Sequence, residues 1–91
     1  MILKELKDDF KSKLLKIASV EQWNQWKISR FEMGEKYLDL KPKKNEIAFC
    51  WLLLRRIYHY QGLCEIYEKY NVNDEHLTRF AKTCLKELKI L

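Results

Sequence analysis

The chain is poor in the residues that interrupt helices, with two glycines and one proline in 91 positions. A turn-rich β architecture needs many of both, so their scarcity argues against one and favours helices. Cysteine is sparse too. Cys50, Cys64 and Cys84 are an odd, widely spaced set with no C-x-x-C pair, which disfavours a disulfide framework or a structural zinc site. Reduced, buried thiols in a cytoplasmic protein are the expectation. The longest apolar run, Ile47 to Leu54, is far short of the roughly 20 residues that span a bilayer, so no membrane partner is expected. Met1-Ile2-Leu3-Lys4-Glu5 turns charged at once, unlike a signal peptide. There is no Gly-rich phosphate loop, paired catalytic carboxylate or metal-ligand spacing, and no cofactor or metal is expected.

What is present suits one helical domain. Apolar residues make up 47% and aromatics 13% of the chain, enough for a single core and unlike a disordered composition. The net charge is +5, which permits an acidic partner without requiring one. Residues 1–44 hold eleven Lys and Arg against seven Asp and Glu, and residues 45–91 hold seven against six. The excess therefore sits in the first half.

The apolar period is helical almost throughout. Leu3, Leu6, Phe10, Leu14 and Ile17 form one stripe of a helix over about 2–18. Ser19 and Gln22 read as a capping box opening a second helix over about 20–40. Trp23, Trp26, Arg30, Met33, Tyr37 and Leu40 share one of its faces. Gly34 lies inside it at a cost of about 1 kcal/mol, and a hairpin over 28–40 turning at Met33-Gly34 is the alternative. Lys41 to Lys44 is expected as a loop, with Pro42 ending the second helix and Asn45 capping the third. The third helix, about 46–60, is apolar on every side from Ile47 to Leu54, which makes it the central element. Gly62 marks a break before a short helix over about 62–70. Asn71-Val72-Asn73 forms a turn, with Asn73 an N-cap and Val72 a staple against Leu77. The last helix, about 74–89, carries Leu77, Phe80, Ala81, Cys84, Leu85 and Leu88 on its apolar face. The expected fold is an all-α, compact orthogonal bundle of four to five helices around a buried central helix.

Residues 63–88 resemble a helix-turn-helix: Leu63 to Tyr70, the turn Asn71-Val72-Asn73, then a second helix anchored by Leu77 and Phe80. The whole chain is similar to a single cyclin-type repeat of the TFIIB kind. Glu46-Ile47-Ala48-Phe49-Cys50-Trp51-Leu52 stands where that family has its buried third helix. Tyr67 to Val72 and Leu85-Lys86-Glu87-Leu88 match its last two helices. The resemblance implies a non-enzymatic regulator associating with nucleic acid or a transcription complex. His76, Thr78, Arg79 and Lys82 would face outward to make contacts. A lone repeat of this kind, lacking its usual twin, suggests a possible homodimer.

Other groups of residues sharpen the choice of partner. Lys41, Lys43, Lys44, Arg55 and Arg56 are expected near one end of the third helix, either as a nucleic-acid surface or as a solvated charged face. Trp23 and Trp26 are either core or an exposed hot spot, since Trp and Tyr dominate interface energetics. With Tyr37 and Tyr60 they define the alternative function, a protein-binding adaptor or inhibitor that blocks a larger protein through an aromatic helix face, as phage-encoded inhibitors do. Cys50 and His59 lie nine residues apart on one helix, about two and a half turns, too far for a nucleophile–base pair. Catalysis is not expected.

Overall fold

The computed structural model describes residues 2–91, with side chains from Lys4 onward. These residues form four helices: α1 (Ile2–Ile17), α2 (Val20–Leu38), α3 (Pro42–Tyr70) and α4 (Asp74–Glu87). The all-α bundle expected from the helical period is what the chain builds.

In α1, Leu6, Phe10 and Leu14 recur every four residues and are buried, the spacing that stacks side chains on one helix face. Ile17, expected on the same stripe, is exposed, while Leu3 lies outside the described side chains. The capping box opens α2 as expected. Ser19 Oγ accepts from the Gln22 amide, and Gln22 Oε1 accepts from the Ser19 amide. The hairpin alternative for 28–40 is overturned, because the chain is helical through Leu38. Phe31 gives that segment a tertiary anchor, meeting Phe49 edge-on at 5.8 Å. Asp39 then terminates α2 in the left-handed region, with φ 50°.

The α2–α3 junction differs most from expectation. Lys41 to Lys44 is no loop: Lys41 is the N-cap and Pro42 opens α3. Proline suits a first helical position, where its missing N–H is not needed. Asn45 is not a cap. It is buried a turn inside α3, where its amide donates to the carbonyls of Phe31 and Leu40, both at 3.4 Å. Gly34 makes this approach possible, since a Cβ there would lie 2.5 Å from Asn45 Oδ1. The helix-propensity loss noted for Gly34 is thus the cost of bringing α2 onto α3.

α3 is central, with α1, α2 and α4 all packing against it. It is not buried on every side. Phe49, Cys50, Leu53 and Leu54 are enclosed, whereas Ile47 and Leu52 are exposed. Three neighbouring helices cover only part of the cylinder, so an all-apolar run leaves some residues in solvent. The break expected at Gly62 falls at His59, where φ is 58° and ψ 171°, and the helix resumes through Gly62. Two arms, 42–58 and 60–70, explain why the sequence reads as either four or five helices.

The second arm ends at Asn71, left-handed with φ 52°, and Asn73 Oδ1 accepts from the His76 amide to open α4. This is the turn the sequence implied, with asparagine tolerating a left-handed backbone. Leu77, Ala81, Cys84 and Leu85 carry the buried face of α4. The helix stops at Glu87 rather than 89. Lys89 takes φ 61°, and the Ile90 amide donates back to the Leu85 carbonyl, seating Ile90 fully in the core. Glu87 also bridges α4 to α1 by receiving both Lys7 and Lys11.

Candidate functional site

The outward residues of α4 are largely engaged within the chain. Arg79 pairs with Glu75 one turn earlier, at 2.5 Å. Lys82 reaches Glu46 of α3 at 3.2 Å. The Thr78 hydroxyl donates to the Asp74 carbonyl at 2.7 Å. His76 is exposed. Asp74 and Glu75 occupy the first turn, where the helix dipole favours acids, and they bring negative charge to the end that would approach a phosphate backbone.

The basic residues of α3 do not gather at one end. Lys43 and Lys44 are exposed in its first turn, while Arg55 and Arg56 come twelve residues later, about 18 Å along the axis. The α3 N-terminus holds no acid in its first turn, so Lys43 and Lys44 stand against the dipole.

The aromatic set divides. Trp23 is 3% exposed and its indole donates to the Leu14 carbonyl at 3.0 Å, so it is core. Trp26 is half-buried, packing against Trp23 and Phe49 with ring centroids 5.6 and 5.5 Å away. Its remaining surface meets two guanidinium groups, Arg30 at 5.0 Å and Arg56 at 6.0 Å from the ring centroid. Arg30 leans in turn toward the Met33 sulfur at 4.0 Å. Met33 is exposed, and Tyr37 is 70% exposed with the Lys36 ammonium 5.4 Å from its ring. Trp26, Arg30, Met33 and Tyr37 are spaced four, three and four apart, so they form one stripe along α2. Tyr60, also 70% exposed, stands apart on the second arm of α3.

The structure therefore brings Arg56 to Trp26, two residues that sequence reasoning had assigned to different surfaces, while Tyr37 shares the α2 face about 16 Å further along. Arg30 and Met33 belong with them. Their shared helix face was visible from spacing, but the participation of Arg56 was not, because it depends on how α2 crosses α3. Leu40 shared that face by spacing but lies beyond the end of α2.

The thiols offer little chemistry. Burial pushes the Cys50 thiol up to about 11 and the Cys84 thiol up to about 11, keeping both protonated near neutrality. Cys64, expected to be buried, is exposed, because it lies on the outer side of the second arm of α3 between the buried Leu63 and Ile66. Tyr58 donates to Asp9 at 2.7 Å, and burial reinforced by that bond raises its pKa far above the usual phenol range. The Tyr67 hydroxyl is buried without a hydrogen bond of acceptable geometry, and burial, with Asp74 nearby, raises its pKa likewise. Among the described residues no group of three His, Cys, Asp or Glu could hold a metal ion, and no helix is long and apolar enough to cross a membrane. No protein-family model, curated protein or solved structure matches this chain.

Proposed function

We propose that the chain is a non-enzymatic protein-binding module, an adaptor or inhibitor that docks on a larger protein through the α2 face. The observation that carries this reading is the α2 face that holds Trp26, Arg30, Met33 and Tyr37 at helical spacing, with Arg30 and Arg56 over the Trp26 ring. Trp, Tyr and Arg are the residues that dominate interface energetics, and methionine adapts to irregular apolar surfaces. Trp26 is braced from behind by Trp23 and Phe49, so an anchor of this kind loses little side-chain freedom on docking. The two arginines favour a partner with carboxylates beside an apolar patch.

Association with nucleic acid is the second reading. Its supporting observation is the exposed basic start of α3, where Lys43 and Lys44 stand against the helix dipole.

The tagged full chain, incubated with extract of its native cell, distinguishes the two. On the protein reading, a partner is retained after nuclease treatment and lost with Arg30→Glu/Tyr37→Ala, while the urea midpoint of that variant stays near wild type. Capture abolished by nuclease, together with a duplex gel shift that weakens steeply with salt, would sink the protein reading.

A further inference from the structure

A second surface, sharing no residue with the α2 stripe, lies between α1 and α4. It is an open groove of about 870 Å³, at the upper end of the range for small-molecule sites. Its floor is apolar, with Val72 and Phe80 half-buried and Leu77 and Cys84 almost wholly enclosed. Its rim is basic: Lys4, Lys7 and Lys11 come from α1 and Arg79 from α4, with Asp8 the one acid among the lining residues.

Two features say what such a groove accepts. The first is its form. The lining runs from Lys4 to Lys11 along α1 and from His76 to Cys84 along α4, about 11 and 12 Å at 1.5 Å per residue. About two turns of a third helix match that length, and helix-in-groove docking places an apolar face on such a floor. The second is charge. The chain's own Glu87 already shows how the α1 lysines receive a carboxylate, taking Lys7 and Lys11 together. Two ammonium groups share that single carboxylate, and Lys4 stands a turn beyond. Arg79 is paired only with Glu75, in a contact where both side chains are 70% exposed, which is weak enough to be exchanged.

We propose that the α1–α4 groove binds an acidic amphipathic helix of a partner protein, with the apolar face on Val72 and Phe80 and carboxylates along Lys4, Lys7, Lys11 and Arg79. The site is independent of the α2 stripe, so the chain would bridge two protein surfaces.

A displayed library of random 16-residue peptides, selected against the full chain, tests this without presuming a sequence. The expected winners carry apolar residues three and four apart and an excess of Asp and Glu. They shift the backbone amide resonances of α1 and α4 and leave those of Met33 and Tyr37 unmoved. Lys4→Glu/Arg79→Glu weakens the same peptides at least ten-fold, with the far-ultraviolet circular dichroism unchanged. Winners without acidic bias, winners mapping to α2, or no enrichment at all would overturn the proposal. So would equal competition by palmitate or by a DNA duplex, because the groove would then recognise an apolar tail or a phosphate backbone.

Discussion

Alanine at Gly34 sets helix propensity directly against tertiary packing. On propensity alone the substitution stabilises α2 by about 1 kcal/mol. The structure predicts the opposite outcome. The new Cβ would stand 2.5 Å from Asn45 Oδ1 and 3.3 Å from its Cγ, and Asn45 is 5% exposed. That side chain cannot swing aside freely, since its amide holds the Phe31 and Leu40 carbonyls. Releasing two such bonds costs about 0.5–1.5 kcal/mol each, and more if the amide stays buried without partners. The net expectation for Gly34→Ala is a loss of about 1–2 kcal/mol, read from the urea midpoint, or a drop of roughly 5–15 °C in Tm for a domain this size. Asn45→Ala alone loses the same two bonds. In the double variant the Gly34→Ala methyl enters space vacated by the Asn45 amide, so the two effects should fall short of additive by at least about 1 kcal/mol. A Gly34→Ala protein as stable as wild type, or strictly additive losses, would refute the account of this junction.

Other outcomes follow from strained or buried groups. His59 lies near a backbone region that glycine alone occupies at ease, a strain of about 1–3 kcal/mol, so His59→Gly should stabilise by roughly 1 kcal/mol after the entropic cost of glycine. A loss of that size in urea denaturation would instead mean an ordinary helix interior. Tyr67→Phe removes a buried hydroxyl that has Asp74 nearby but no hydrogen bond of good geometry, and thermal unfolding should show a gain of up to about 1 kcal/mol; a loss would mean that the Asp74 carboxylate accepts from it in solution. In a thiol titration at pH 8, Cys64 should react at once, while Cys50 and Cys84, with values near 11, react only on unfolding. Prompt reaction of more than one thiol would contradict the burial of Cys50 and Cys84.

The sequence by itself determined the local rules. Few glycines and prolines, the four-residue spacing of Leu6, Phe10 and Leu14, the Ser19–Gln22 box and the Asn71–Asn73 turn are short-range features, and each formed where its pattern lies. They act within one helical turn, so neighbouring residues suffice to specify them. The tertiary structure decided what depends on how helices meet. Asn45 became a buried link instead of a cap because Gly34 lets α2 approach α3. The break moved from Gly62 to His59, a position that no local pattern marks. Trp23 and Trp26, alike in sequence, were separated into core and half-exposed anchor by the reach of each indole toward α1 or α3. Arg56 joined the α2 stripe, and Lys7 and Lys11 joined Glu87, across separations of 30 and more residues. Such contacts depend on the packing of whole helices, which the apolar period constrains without fixing. Both candidate surfaces follow from that packing, and their helix faces were visible in the sequence only as unjoined halves.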